Sequence, residues 1–172
     1  MRDRAIRAAE TLLKEEGIFS LTLNRVVAKA GVSKGGFFHH FATKEDLVQA
    51  VLESGMAAYE QEMERYRQSG LGETEARVKT SFSRIRSKDP LTTVAIAAGA
   101  TNGALGEMMA ARVRESIKTG LDEGIPSDHL KLALLAVQGI FLERLFGIEQ
   151  SDAEIDELES IVLNLVRPPA TG

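Results

Sequence analysis

The chain has 172 residues, of which 44% are hydrophobic, and its formal net charge at neutral pH is −4. A chain of this length can bury enough surface to fold without a disulfide or a structural metal. Because it contains no cysteine, disulfide frameworks, thiolate catalysis and cysteine-based zinc sites are excluded. No apolar run approaches the roughly 20 residues of a membrane span, and residues 1–7 are charged rather than signal-like. We therefore expect a cytoplasmic protein that has no membrane contact, cofactor or metal.

Basic and acidic residues are distributed unevenly along the chain. Residues 1–47 contain eight lysines and arginines against six aspartates and glutamates, whereas the remainder contains thirteen against nineteen. A protein that binds nucleic acid needs a basic face rather than a basic net charge. The overall acidity of the chain therefore does not exclude DNA binding by its N-terminal part.

The hydrophobic pattern is helical almost throughout, and no segment shows a sustained alternation with a period of two. The first predicted helix carries an apolar stripe and ends at Gly17, a residue type that commonly terminates helices. A second short helix begins near Thr22 and is broken by residues 31–33. A third short helix extends from Lys34 to about His40.

A longer fourth helix is predicted from Thr43 to about Arg67, with Thr43 and Asp46 forming an approximate capping box. Residues 68–72 are rich in glycine and form the clearest linker. Further helices are predicted at about 74–87, 91–122 with a break near 99–106, 127–147 and 152–166. The predicted fold class is all-α, with about nine helices.

The most informative segment is the pair of short helices between residues 22 and 41. Short helices joined by a tight turn that contains glycine form a helix-turn-helix. Gly31 can adopt the positive φ that such a turn requires, and Ser33 can cap the helix that follows. The free amides at the start of that helix, together with the glycines at 35–36, would accommodate a phosphate. We therefore predict a DNA-binding helix-turn-helix.

The other side chains of the third helix allow more than one interpretation. Phe37 and Phe41 lie one turn apart and are predicted to pack into the core. Phe38 either packs there too or faces DNA, and His39 and His40 either contact DNA or are simply solvated. A metal site at the two histidines is disfavoured, because adjacent helical residues point about 100° apart and no acidic or cysteine partner lies nearby.

The segment TLNRVVAKAGVSKGGFFHHFATKEDL, residues 22–47, resembles the DNA-binding domain of TetR-type (TetR/AcrR) transcriptional regulators. The shared features are an Ala-Gly-Val-Ser turn, a glycine two residues after the serine, a His-Phe pair, and Lys-Glu-x-Leu at the start of the fourth helix. The rest of the chain resembles the family only in helical layout and length. The resemblance implies an N-terminal three-helix DNA-binding domain at 1–46 and a helical ligand-binding and dimerisation domain at 47–172.

The resemblance also implies which residues contact DNA. Those that match phosphate-contacting positions are Thr22, Ser33, Gly35, His40 and Lys44, and those that match positions facing base edges are Lys34, Gly36 and His39. Phe38 departs from the tyrosine that is usual there, and Gly36 departs from the usual alanine, serine or threonine. Base recognition is therefore expected to depend on Lys34, His39 and DNA shape, with Phe38 left to contact a thymine methyl or a sugar.

Two helices near the C-terminus carry apolar stripes, and the resemblance implies that they form an intersubunit four-helix bundle. A helix-turn-helix protein typically dimerises and binds half-sites about 34–36 Å apart, so we expect a homodimer. The alternative is that each stripe faces the core of its own subunit. The residues predicted for the dimer interface are Leu130, Leu134, Val137, Phe141, Leu145, Ile155, Leu158, Val162 and Leu165.

Residues 95–111 are dominated by small side chains and include adaptable methionines, which permit either tight helix packing or an internal space. We predict a largely apolar ligand pocket with few polar anchors. Its predicted lining is Phe82, Ile85, Thr101, Asn102, Leu105, Met108, Met109 and Phe141. Glu107 and Glu143 would select a cationic ligand if they faced this pocket, and are otherwise solvated surface residues.

These predictions combine into a ligand-responsive dimeric transcription regulator that binds a near-palindromic double-stranded DNA operator. In the family's common mode the protein is a repressor, released by a small-molecule effector that prefers another conformation. The alternative is a dimeric small-molecule-binding or scaffold protein without sequence-specific DNA binding, which Gly36 and Phe38 would permit. An enzyme is disfavoured, because the sequence contains no P-loop, HExxH or Ser-His-Asp signature.

Overall fold

The computed structural model describes residues 1–17 and 20–167, and leaves out the side chains of residues 93, 96, 97, 100 and 101. Regular structure in the described ranges is entirely helical, which confirms the all-α prediction. The helices are α1 (Arg2–Glu16), α2 (Leu23–Ala30), α3 (Lys34–His40), α4 (Lys44–Gln68), α5 (Glu73–Arg86), α6 (Leu91–Thr101), α7 (Gly103–Asp122), α8 (Ser127–Leu145) and α9 (Asp152–Val166). Only Asn102 separates α6 from α7, so these ranges hold eight helices if the two are counted as one interrupted helix.

Two of these helices begin with a complete capping box. At the start of α4, the Thr43 amide donates to the Asp46 carboxylate at 2.8 Å, and the Asp46 amide donates to the Thr43 hydroxyl at 3.1 Å. At the start of α9, Ser151 and Glu154 form the same reciprocal pair. Each box satisfies amides that the helix itself leaves without acceptors, so these boundaries are determined by local sequence.

The first apolar core joins the N-terminal helices to α6. It consists of buried side chains from α1, α2, α3 and the first half of α4, together with Val94 of α6. Leu91, Ala95 and Leu105 pack against this cluster from α6 and α7. The helix-turn-helix is therefore packed directly against helices of the C-terminal part. We call this cluster the N-terminal core.

The second apolar core is formed by α5, α8 and α9, with Ile125 from the turn before α8. We call it the C-terminal core. Phe82 and Ile85 of α5 are fully buried in it, and so is Ile155 of α9. Among the described residues, none of α1 to α4 belongs to this cluster, so the two cores are separate bodies of apolar packing.

The apolar stripes predicted to form the dimer interface face the interior of their own subunit instead. Leu130 and Phe141 of α8, and Ile155 and Val162 of α9, are buried in the C-terminal core, and Val137 and Leu158 pack against it. Their assignment to an intersubunit surface is therefore corrected. Leu134, Leu145 and Leu165 are partly buried. The physical reason is that α8 is apolar on nearly all sides, and α5 and α9 cover the predicted stripe.

The opposite side of α8 and α9 leaves large apolar side chains exposed to solvent. Leu135 and Phe146 are 63% and 72% exposed. The other exposed apolar residues of this region are Leu132, Leu142, Ile148 and Ile161. These residues are more exposed than the predicted ones and are available to a partner.

The small residues of α6 and α7 serve close packing where the two helices meet. A Cβ atom added to Gly106 would lie 2.9 Å from the carbonyl oxygen of Gly99. Only glycine permits this approach of one backbone to another. At these two glycines the small residues therefore serve tight helix packing rather than an internal space.

None of the helices described is both long enough and apolar enough to cross a membrane.

Candidate nucleic-acid interface and internal cavity

The turn between α2 and α3 has the geometry of a helix-turn-helix. Thr22 caps α2, its hydroxyl accepting from the Arg25 amide at 3.4 Å. Gly31 ends α2 in the left-handed conformation, with φ 61° and ψ 41°. Ser33 caps α3 by accepting from the Gly36 amide at 3.3 Å. The turn is thus held by the residue types that its backbone requires.

Three side-chain contacts fasten α1 to this unit. Arg25 makes a bidentate ion pair with Glu16, at 2.5 and 2.6 Å, and Lys29 contacts Glu15 at 2.7 Å. Arg4 donates to the carbonyl oxygen of Gly31 at 3.2 Å. These three side chains already have partners within the domain. The free positive charge of a DNA interface must therefore come from other residues.

The two sides of α3 differ sharply in exposure. Phe37 and Phe41 are buried in the N-terminal core, with ring centroids 5.3 Å apart. His39 is exposed on the side opposite Phe37, and Lys34 and His40 are exposed to either side of it. We call the exposed residues of α2, α3 and the start of α4 that were predicted to contact DNA the recognition face.

Phe38 belongs to this exposed side. Its ring is 43% exposed and meets the edge of Phe37 at 5.6 Å between centroids. Of the two interpretations of this residue, complete burial in the core is wrong. A partly exposed ring supported from below can contact a sugar or a thymine methyl.

The double glycine has two different environments. A Cβ atom added to Gly35 would meet nothing within 4 Å, whereas one added to Gly36 would lie 2.5 Å from the sulphur of Met1. Gly35 is exposed and Gly36 is partly covered. The backbone at Gly35 is therefore the more accessible of the two to a phosphate group.

Two further residues predicted to contact DNA lie at the starts of helices. Thr22 is exposed at the start of α2, and Lys44 is exposed as the first residue of α4. Next to Lys44, hydrogen bonds from Thr43 hold the pKa of the Asp46 carboxyl below its usual value. The cap of α4 is thus ionised at neutral pH and fixes the position of the lysine's backbone.

A cavity of about 210 Å³ lies between the two cores. Five helices, α4 to α8, contribute to its wall. Its lining is Leu52, Gly55, Met56, Tyr59, Arg77, Ser81, Arg84, Leu91, Thr92, Ala95, Leu105, Met108, Met109, Arg112, Val113, Ser116 and Leu134. Most of this surface is apolar, as in small-molecule sites generally.

The sequence-based pocket is only partly the same as this cavity. Leu105, Met108 and Met109 line it as predicted. Phe82, Ile85, Phe141 and Asn102 do not line it. Phe82, Ile85 and Phe141 are buried in the C-terminal core because their helices turn those side chains toward one another. Asn102 caps α7 through its side-chain oxygen, at 3.1 Å from the Ala104 amide. The side chain of Thr101 lies outside the described part of the chain.

Sequence reasoning missed the polar lining of the cavity. Tyr59 donates its hydroxyl to the Arg77 carbonyl oxygen at 3.1 Å and lies under the Arg84 guanidinium, 5.2 Å from the ring centroid. Burial raises the pKa of Tyr59, so its phenol is neutral at physiological pH. Arginines are mostly exposed in proteins, so the hydrophobic pattern gave no reason to place Arg77, Arg84 or Arg112 in the pocket.

The two glutamates considered for ligand selection do not line the cavity. Glu107 is exposed and pairs with Arg114 at 2.5 Å, and Glu143 accepts from Gln150 at 2.5 Å. Both are surface residues. In the part of the chain that the structure describes, no cluster of three or more histidine, aspartate or glutamate side chains could hold a metal ion.

An outward face on a helix-turn-helix, fixed to a helical body that contains a cavity, defines a DNA-binding regulator with a regulatory domain. Two family models match the chain: "Bacterial regulatory proteins, tetR family" at residues 5–51 and "Tetracyclin repressor-like, C-terminal domain" at residues 72–167. The chain belongs to the TetR family of bacterial regulatory proteins. The resemblance predicted from residues 22–47 is thereby confirmed, and with it a regulator rather than an enzyme.

Individual relatives agree with this assignment. The chain is 31% identical over 83 residues to the transcriptional repressor NemR of Escherichia coli K12, and this match covers 48% of the chain and 42% of NemR. The chain thus matches less than half of that repressor's length. The crystal structure of reduced E. coli NemR superposes with a TM-score of 0.69 and 22% identity, covering 99% of both chains. The multidrug binding protein EbrR, complexed with imidazole, superposes with a TM-score of 0.68 and 21% identity, covering 99% and 97%.

Proposed function

We propose that the protein is a homodimeric, cytoplasmic transcriptional repressor that binds a near-palindromic operator and is released from it by a small molecule. The observation that carries this proposal is the recognition face: the tetR-family match at 5–51 coincides with a helix-turn-helix whose exposed residues include Lys34, His39, His40 and Lys44. We divide the chain into a DNA-binding domain at 1–46 and a ligand-binding and dimerisation domain at 47–172.

The recognition face supports a division of labour between its residues. Lys34 and His39 are exposed on α3 and are assigned to base edges, where a lysine can donate to guanine. Lys44 and His40 flank them and are assigned to phosphates, together with Thr22, Ser33 and the backbone of Gly35. Because Arg25 and Lys29 are held in ion pairs, Lys34 and Lys44 supply most of the free charge.

The exposed apolar residues of α8 and α9 support the proposed dimer. An exposed apolar patch on a polar protein marks an interaction site, and Leu132, Leu135 and Leu142 form a row along α8 at helical spacing. Ile161 of α9 is also exposed. We assign the intersubunit surface to these residues in place of the buried stripes predicted from the sequence.

A single helix supports the coupling of ligand to DNA. Leu52 of α4 is buried in the N-terminal core and also lines the cavity. Gly55, one turn on, packs so closely against Leu91 of α6 that an added Cβ would lie 2.3 Å from the leucine's Cδ1 atom. A ligand that displaces α4 in the cavity must therefore also displace the core that supports α3. Its effect is limited to its difference in affinity between the two arrangements.

The structural neighbour EbrR is a multidrug binding protein, and its crystal structure is that of a complex with imidazole. This similarity supports a small-molecule effector for the present chain. The apolar, methionine-rich part of the cavity wall is consistent with such a ligand.

Selection of bound duplexes from a random pool tests the proposal. We expect a palindrome whose half-sites lie about 34–36 Å apart, as a symmetric dimer requires. Lys34→Ala and His39→Ala should each weaken binding to the selected operator by about tenfold. Lys118→Ala, which removes an exposed lysine of α7, is the matched control and should bind normally.

Three results would contradict parts of this proposal. Unchanged operator affinity in both variants would exclude Lys34 and His39 as base readers. Binding that falls steeply with salt but shows no sequence preference would exclude an operator-specific regulator. No binding even at low salt would favour the small-molecule-binding or scaffold alternative.

A further inference from the structure

The cavity wall contains three arginines, Arg77, Arg84 and Arg112, and none of its described residues is acidic. The cavity is partly open to solvent, but its mostly apolar wall still strengthens the field of any charge that is not neutralised. The chemistry of the ligand therefore depends on which of the three guanidinium groups already have a carboxylate partner.

Two of the arginines are neutralised from outside the cavity. Arg77 contacts Glu73 at 3.3 Å. Arg84 forms a close ion pair with Asp89, and its Nε atom is 3.8 Å from Glu62. These carboxylates do not line the cavity. They hold the two arginines in place and offset their charge, with Glu73 shared between Arg77 and Arg67.

Arg112 is different. Among the residues that the structure describes, it has neither a hydrogen-bond acceptor nor a carboxylate partner, although it is partly buried in the wall. It projects from the same face of α7 as Met108, one turn before it, and Ser116, one turn after it, both of which line the cavity. The cavity therefore holds one positive charge that no described residue of its wall compensates.

Arg84 carries a buried donor without a hydrogen-bond partner in the described part of the chain, but this atom does not face the cavity's ligand space in the way that Arg112 does. Its side chain is only 8% exposed, yet its Nε atom has no hydrogen-bond partner among the described residues. Buried donors in proteins almost always have an acceptor, and an orphan requires an explanation. The explanation here is Glu62, a carboxylate outside the cavity lining that lies 3.8 Å from the Nε atom, so it is Arg112 that indicates an anionic ligand. The neutral phenol of Tyr59 adds no competing negative charge.

We propose that the effector is a small amphipathic carboxylate, bound through its carboxylate to Arg112 and through its apolar body to the methionines and leucines of the wall. This inference rests on the proposed function and names the ligand class of the same cavity. A dry cavity of about 150 Å³ holds benzene, so about 210 Å³ suits one aromatic ring or a short chain with its headgroup. A cationic ligand, considered for Glu107 and Glu143, is disfavoured because neither lines the cavity.

A charge series of matched probes tests the proposal. We would measure binding of 3-phenylpropanoate, 3-phenylpropanamide and 3-phenylpropylamine, and of the corresponding linear octanoate series, to the full chain by calorimetry. A guanidinium–carboxylate contact is worth about 10-fold to 100-fold in affinity. In at least one series the carboxylate should bind about tenfold or more tightly than its amide, and the amine should bind weakest.

Two variants of Arg112 test whether this residue causes the preference for carboxylate over amide. Arg112→Met keeps an apolar side chain of similar reach and should remove the preference for carboxylate over amide. Arg112→Lys keeps the charge and should retain part of the preference. Arg114→Met is the matched control, because Arg114 lies two residues away on the exposed side of α7. It should leave both affinities unchanged.

The proposal is overturned if no carboxylate binds more tightly than its own amide, or if Arg112→Met keeps the preference. These outcomes are separate from a failure of the proposed function. Calorimetry needs no DNA, and operator binding of the ligand-free chain does not involve Arg112. Operator binding that is intact but insensitive to every carboxylate would refute this inference alone.

Discussion

The N-terminal and C-terminal cores differ in what they bury. The N-terminal core, from α1 to α4 with Val94, contains only apolar side chains. The buried polar or charged side chains in the described part of the chain all lie on α5 or α9: Thr74, Thr80, Arg84 and Glu159. The ion pairs of the N-terminal region, Arg25–Glu16 and Lys29–Glu15, lie at the surface, whereas the C-terminal region also buries charged side chains.

This difference corresponds to the proposed function of each region. An apolar core is non-directional but, when close-packed, holds its helices in one arrangement, which suits a recognition face that must match DNA. Buried ion pairs gain little net stability but have demanding geometry. In the C-terminal part, Glu159 contacts both Lys79 and Arg86, and so fixes α9 against α5. We infer that this contact sets the position of α5, which forms one wall of the cavity.

The largest expected effect is loss of the N-terminal core by Phe37→Ala. Phe37 is fully buried, and removal of a buried phenylalanine costs about 3–5 kcal/mol. Urea unfolding followed by far-ultraviolet circular dichroism measures the change. Phe38→Ala is the matched control, since its ring is largely outside the core, and should cost about 1 kcal/mol or less. Equal losses in the two variants would mean that α3 is packed differently from the structure described.

A smaller effect is expected from Glu159→Gln in the C-terminal core. The change leaves Lys79 and Arg86 without their buried carboxylate, at a cost of about 2 kcal/mol, less than for a fully buried pair because both cations are partly solvated. Asp156→Asn removes the exposed partner of the same Arg86 and should leave the unfolding midpoint nearly unchanged. If Asp156→Asn proved as costly as Glu159→Gln, burial would not be what distinguishes this core.

The sequence predicted the N-terminal region closely because its signals are local. Thr22, Gly31, Ser33 and Thr43 each determine a helix boundary through their own side chain or backbone, within three residues along the chain. Such signals need no knowledge of the tertiary fold. The exposure of Phe38 was less accessible to prediction, because it depends on how α3 rotates against α1 and α4.

The C-terminal region was predicted less completely because its signals are not local. The segment from Leu130 to Leu145 has apolar side chains on nearly every side of the helix, so periodicity cannot indicate which side faces α5 and α9. The same applies to the cavity. Arg84 and Arg112 have ordinary sequence surroundings, and only the packing of five helices brings them to one wall. An unpaired charge is a property of the tertiary structure.

The smallest expected effect concerns a device that the two regions share, the capping box. Hydrogen bonds from Thr43 and Ser151 lower the pKa of Asp46 and Glu154 respectively. A carboxylate whose folded-state pKa is depressed stabilises the fold above its unfolded-state pKa of about 4, and this stabilisation is lost as the pH falls through the folded value. Asp46→Asn and Glu154→Gln should therefore each lower the melting temperature slightly near neutral pH, and the gap from the wild type should close in acid.

Glu45→Gln separates the capping contact from the general effect of negative charge at a helix start. Glu45 lies beside Asp46 in the first turn of α4 and faces the same helix dipole, but it does not take part in the box. Its removal should lower the melting temperature less than Asp46→Asn at neutral pH. If the melting temperatures of all three variants instead fell by the same amount and showed the same pH dependence, the helix dipole would account for the whole effect. If only Asp46→Asn lowered the melting temperature, the capping box would stabilise the fold at α4, where it positions Lys44 beside the recognition face, but not at α9. The two regions would then differ in their helix caps as well as in their cores.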